Sequence, residues 1–159
     1  MKPAAEAGYT FIEIAIVSAI IMVLASAILP LARVTMQRQR EIELRRDLRD
    51  MRTAIDKFHD DAETNPPKIA ASDLPAAAEH YPPTLQTLVD GVATANSTTG
   101  MRQKYLRRIP VDPMTHSTTW GMRSSRDAAT STVWGGQNVF DVFTTNEGRA
   151  LDGTKYSDW

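Results

Sequence analysis

The chain has 159 residues, which suits one modest domain with an anchor or one domain alone. Eighteen basic residues stand against 19 acidic ones, a formal net charge of -1 that gives no sign of a nucleic-acid binder or an acidic tail. There is no cysteine, which excludes a disulfide framework, a zinc knuckle and thiol catalysis.

The apolar residues crowd the first part of the chain. The stretch "GYTFIEIAIVSAIIMVLASAILP" runs from Gly8 to Pro30 and carries one charge, Glu13. As a helix, residues 9–29 would be about 31 Å long, the thickness of a hydrocarbon core of about 30 Å. Thr10, Ser18 and Ser26 can bond back to their own helix, and Pro30 removes one helix hydrogen bond where the run ends. Two plain readings are a cleaved secretory signal, with Ala25–Ala27 as small-residue cleavage site, and an uncleaved signal anchor. A carboxylate inside the apolar run opposes the first. For the second, Lys2 precedes the run and Arg33, Arg38 and Arg40 follow it, a bias that would leave the C-terminal part in the cytoplasm.

The short polar leader "MKPAAEAG", the aromatic Tyr9, Glu13, the apolar run and Pro30 together resemble the type IV pilin-like family. The resemblance implies a leader over residues 1–8, cut by a prepilin peptidase between Gly8 and Tyr9, with N-methylation of the new Tyr9 amine. It also implies a role for Glu13 and Pro30 in assembly. The cationic amine would neutralise Glu13, whose cost at mid-membrane is about 2.5 to 3.5 kcal/mol on insertion scales. Family precedent favours an amine from the neighbouring subunit, where the pair would set axial register. A carboxylate solvated near the headgroups is the bland alternative.

Beyond Pro30 the pattern becomes amphipathic. Leu44, Leu48, Met51, Ile55, Phe58 and Ala62 recur at spacings of four and three, one apolar face of an α-helix. The other faces alternate Arg with Asp and Glu, a solvated surface, with pairs four apart worth a few tenths of a kcal/mol each. One helix is predicted from about residue 10 to 62, divided into a membrane or filament-core part (9–30) and an amphipathic part (31–63). Asn65, Pro66 and Pro67 stop it.

Residues 64–159 are expected to form a globular unit, giving an α+β fold in which the long helix packs on a small antiparallel β-sheet. Residues 64–83, rich in Pro and Ala, read as a loop. "PTLQTLVDGVATAN" reads as a short helix capped by Thr84, with Leu85, Leu88, Val89 and Val92 inward. Gly100 follows a polar turn. Strands are expected near Thr118–Met122, Thr132–Trp134 and Val139–Thr145, with turns at Ser124–Ser125 and Gly135–Gly136. Trp120, Trp134, Phe140 and Phe143 are assigned to the sheet core.

The tail "FDVFTTNEGRALDGTKYSDW" holds several acids in a Gly-punctuated loop without EF-hand spacing. By residue type it is an ordinary polar loop. "YLRRIPVDP" and this tail most resemble the major pseudopilins of type II secretion systems, which implies a calcium site. Asp152 and Asp158 are the candidate ligands, then Glu147, with a carbonyl near Thr144. No catalytic residue stands out: His59, His80 and His116 lack ligand spacing, and no nucleophile elbow, P-loop or dinucleotide fingerprint occurs.

The resemblance implies a non-enzymatic subunit that polymerises through its N-terminal helix into a helical filament and drives export across the outer membrane. Its implied partners are copies of itself, the prepilin peptidase, other pseudopilins, the inner-membrane assembly platform and, before assembly, the lipid bilayer. Nucleic acid is not among them. The implied location is the bacterial inner membrane, single-pass, with the C-terminal unit in the periplasm, against the arginine bias. A true type IV pilin remains open, as does a monomeric membrane-anchored periplasmic binding module.

Overall fold

The computed structural model describes residues 9–95 and 102–159. The expected leader, Gly8 included, and the turn at Gly100 lie outside the described residues. The chain divides into two compact units, one ending at Gln39 and the other running Arg40–Trp159. The architecture is α+β, with one long N-terminal helix and two small antiparallel sheets.

Helix α1 spans Phe11–Glu63, 53 residues, close to the extent predicted from periodicity. Its first turn is capped by the Thr10 hydroxyl, which accepts the Glu13 amide N–H at 3.3 Å. Ser26 and Thr35 return their hydroxyls to the carbonyls of Val23 and Leu31, at 2.7 and 3.0 Å. Pro30 lies within the helix, which continues past it. At the far end the Thr64 hydroxyl donates to the Asp60 carbonyl at 2.6 Å, and the following Asn65-Pro66-Pro67 cannot extend the ladder.

In the second unit, all six stripe residues from Leu44 to Ala62 are buried. They pack with Ile69, Leu85, Leu88, Val92, Trp120 and Val139, among others, into one hydrophobic core. Each fully buried aliphatic or aromatic side chain contributes about 1.5 to 3 kcal/mol relative to exposure.

Residues 64–83 are more ordered than the loop expected there. They hold short 3-10 turns at Ala71–Asp73 and Ala76–Ala78. Ile69 is buried and bridges Thr94, while Ala70 N–H donates to Ala93 O and Ala95 N–H to Lys68 O, both at 2.8 Å. The Asp73 carboxylate accepts the Ala93 N–H at 2.7 Å.

Helix α2 covers Leu85–Asp90, with the Thr84 hydroxyl accepting from Thr87 N–H as expected. It ends earlier than the apolar spacing predicts. Gly91 takes φ +79°, a conformation open to glycine, and a Cβ there would lie 2.6 Å from the Gln103 carbonyl. The chain therefore turns into strand β1, Val92–Ala93, antiparallel to β2, Arg102–Gln103. Val92 still faces inward, as a strand residue rather than a helical one.

A second sheet pairs β3, Gly121–Arg123, with β4, Asp141–Phe143, through Gly121↔Phe143, Met122↔Val142 and Arg123↔Asp141. Two sheets thus replace the single one expected. Thr132–Trp134 is no strand: the Ser131 hydroxyl accepts the Val133 N–H and donates to the Val133 carbonyl, a local turn that competes with a ladder. Trp120 and Phe143 are buried as assigned, and Trp134 is half-buried with its indole N–H on the Asn138 carbonyl at 2.7 Å. Phe140 is 48% exposed, a correction to the core assignment. Val139 and Val142 take the inward places, so Phe140 turns outward and meets Tyr81 edge-on at 5.2 Å. Gly121 lies directly beneath the Phe143 ring, and any Cβ there would collide with it.

Candidate functional site

Among its described residues the first unit presents an exposed apolar helix. Phe11 is 90% exposed, and Ile12, Ile14, Ile16, Val17, Ile20 and Ile21 are exposed too. An 18-residue stretch has a mean hydropathy of 2.7 with none of it buried, so one helix near the N-terminus is long and apolar enough to cross a membrane.

Tyr9 precedes α1 and is 79% exposed. Glu13 lies in the first turn, exposed, where the partial positive charge of the free amide groups favours a carboxylate. Tyr9 and Glu13 are four residues apart, about one helical turn. No Asp or Glu occurs from Ile14 to Arg40, so Glu13 is the lone acid of this segment. Pro30 is exposed within the same helix.

The second unit anchors its tail with side chains that periodicity alone assigns to a solvated face. Arg52 donates to the Asp141 carboxylate at 2.7 Å and to the carbonyl oxygens of Val142 and Trp159 at 3.0 and 2.6 Å. Arg45 meets Asp152 at 3.1 Å and lies 3.9 Å over the Trp159 ring. Glu41 accepts the Leu151 N–H and the Tyr156 hydroxyl, each at 2.9 Å. Arg123, nearly buried, also reaches Asp141, at 3.1 Å, and stacks on Phe143. The signal available in sequence was the i, i+7 placement of Arg45 and Arg52, which puts both on one helix face.

The calcium candidates are placed as follows. Asp152 is engaged by Arg45 and by the hydroxyl and N–H of Thr154. Thr154's two hydrogen bonds, then Arg45, hold its carboxyl below the usual carboxylate range. Asp158 ends the short turn Tyr156–Asp158 and is exposed, with the Ser157 hydroxyl 3.4 Å away. Glu147 is exposed on an open groove it shares with Thr144, Asn146 and Lys155. Thr144 is buried and gives its hydroxyl to Asp112. Among the described residues no three acidic or histidine side chains are grouped to hold a metal ion. The leading member of the donor set, Asp152, is thus already engaged by an arginine and a threonine, an exposed pairing that calcium would have to displace.

The histidines have local partners. His59 stacks on Tyr81 at 4.1 Å with Nε2 3.3 Å from Glu63, and the His80 ring lies 6.5 Å from it. His116 N–H donates to the Asp112 carbonyl at 2.8 Å.

No family model, curated protein or solved structure matches this chain.

Proposed function

We propose that this protein is a filament subunit of the type IV pilin-like class, acting as a pseudopilin in type II secretion. The observation that carries the reading is the lone carboxylate of Glu13 at the start of an exposed apolar helix, four residues from Tyr9. Cleavage before Tyr9 by a prepilin peptidase creates a cation where an anion needs one. An unpaired charge in an apolar bundle is strongly unfavourable, and the amine of an adjacent copy removes that penalty while fixing register.

The apolar helix resides in the inner membrane as a single span until an assembly platform extracts the subunit. In the filament the same surface packs against other copies, together with other pseudopilins. The contact is heterologous, so it propagates as an open helix instead of closing. The unit Arg40–Trp159 is periplasmic and coats the filament. The absence of the cysteines that a disulfide would need favours the pseudopilin over a type IV pilin.

Mass spectrometry of the mature N-terminus tests processing: the expected species begins at methylated Tyr9. Glu13→Leu is expected to insert in membranes and yet give little polymer. A mature chain retaining residues 1–8 that polymerises at full yield would overturn the proposal.

A further inference from the structure

The basic residues next to the apolar helix have no role in the reading above. Arg33 and Arg38 are exposed on α1, and Arg40 follows two residues later. Among the described residues none of the three is in an ion pair, and no acid lies on their N-terminal side until Glu13. The first acid on the C-terminal side, Glu41, accepts from Leu151 and Tyr156. Arg33 and Arg38 therefore form a short cationic segment at the end of the first unit, whereas Arg40, which opens the second, has Glu43 one turn further on.

Its position relative to the apolar surface is set by helix geometry. From Phe11 to Arg33 the axis advances about 33 Å, just beyond a hydrocarbon core of about 30 Å. Arg38 lies about 7.5 Å further along, within one Debye length of the surface at physiological salt. A span seated with Phe11 at one boundary thus delivers Arg33 and Arg38 to the phosphate layer at the other. Guanidinium groups match phosphate oxygens bidentately.

We infer that Arg33 and Arg38 form a binding surface for anionic phospholipid headgroups, which selects the lipids around the subunit before it is assembled. The inference rests on the membrane-inserted state proposed above. A basic residue near an anionic surface favours binding by about 1 kcal/mol, roughly fivefold in occupancy. Two of them, partly redundant in reach, give an expected preference of about three- to tenfold for anionic over zwitterionic lipid.

The test uses the full chain in phosphatidylcholine vesicles. Because the protein has no cysteine, a fluorophore attached to the Met36→Cys variant reports from between Arg33 and Arg38, and Met36 is 55% exposed. Quenching by phosphatidylglycerol carrying a spin label near its headgroup is compared with quenching by phosphatidylcholine labelled in the same way. The expected result is a three- to tenfold stronger association of the anionic lipid at low salt, falling toward unity in 0.5 M salt. Adding Arg33→Gln and Arg38→Gln together should abolish the preference while leaving quenching by the zwitterionic lipid unchanged. Equal association of both lipids, or a preference that survives the double substitution, overturns the inference. Arginines taken up instead by acids of a second copy would also give equal association, and so would overturn it. Co-flotation with vesicles of phosphatidylcholine alone separates the two proposals. A chain that floats without lipid preference defeats only this one, and a chain that does not float defeats the membrane reading with it.

Discussion

The two halves of α1 solve the same problem in opposite ways. From Phe11 to Leu24 almost every side chain is apolar and exposed, so no direction around the helix is reserved for water. From Leu44 to Ala62 the apolar residues keep to one stripe, and that stripe is buried in the core of its own unit. Among the described residues the first half leaves its apolar surface unburied, over a length that could cross a membrane. The second covers its stripe within its own unit. Helical periodicity therefore tells where a helix ends its dependence on partners, since a stripe can be satisfied locally and an all-round apolar surface cannot.

The sharpest way to break this contrast is to shorten one side chain in each half. Phe58→Ala should destabilise the Arg40–Trp159 unit by about 3 to 5 kcal/mol, read by chemical unfolding of the full chain in detergent. Ile21→Ala should leave that transition within about 0.5 kcal/mol. A comparable loss from both would erase the distinction drawn between them.

Next in size is the arginine pair on Asp141. Arg123→Met removes a nearly buried guanidinium that bonds Asp141 and the Ser131 carbonyl, while Arg52 still serves Asp141. The expected cost is about 2 to 3 kcal/mol, below that of a fully orphaned partner. Smaller again is Tyr105→Phe, which deletes a 3.1 Å hydrogen bond to Asp61 and should cost about 1 kcal/mol at neutral pH. Burial, then the Asp61 charge, pushes the Tyr105 hydroxyl well above its usual range. Because the folded value is raised, its contribution is fully present below the unfolded tyrosine value of about 10 and is lost as pH rises beyond it. Tyr105→Phe should flatten that alkaline decline.

The smallest effects concern exposed groups. Hydrogen bonds from Ser125, then Arg126, hold the Glu79 carboxyl below its ordinary value. Its contribution is present above the normal glutamate range and fades as pH falls through the lowered one. Glu79→Gln should therefore narrow the difference in melting temperature between pH 7 and pH 3. Millimolar calcium against excess chelator should leave the melting temperature unchanged within about 1 °C, since Asp152 is committed to Arg45 and Thr154. A rise of several degrees with calcium would mean that the tail rearranges around the ion.

What could be read from the amino-acid order was whatever is local and periodic. The extent of α1, the six-residue stripe and the Thr84 cap all follow from spacing and capping chemistry, and they are in place. Decisions made by distant residues were not legible. Val92 leaves the helix because Gly91 opens a left-handed turn facing Gln103, and Ile69 enters the core because Thr94 offers a bridge. Phe140 turns out because Val139 and Val142 take the inward sites. At the candidate site, Tyr9 and Glu13 were singled out by the resemblance of their segment, and the structure leaves both exposed at the start of the chain's apolar stretch. The arginines that hold the tail read as solvent-facing, since their partners lie about a hundred residues later in the chain.

One vacant position governs more than its size suggests. Gly121 leaves a socket for the ring of Phe143, and that ring in turn is the platform on which the Arg123 guanidinium rests. A methyl group placed there would lift the aromatic, tilt the cation off its seat and loosen its grip on Asp141, Ser131 and Ser157 together. The hold of the second sheet on the Ser157 carbonyl thus depends on a missing side chain, so that the gentlest of substitutions would act there like a wedge.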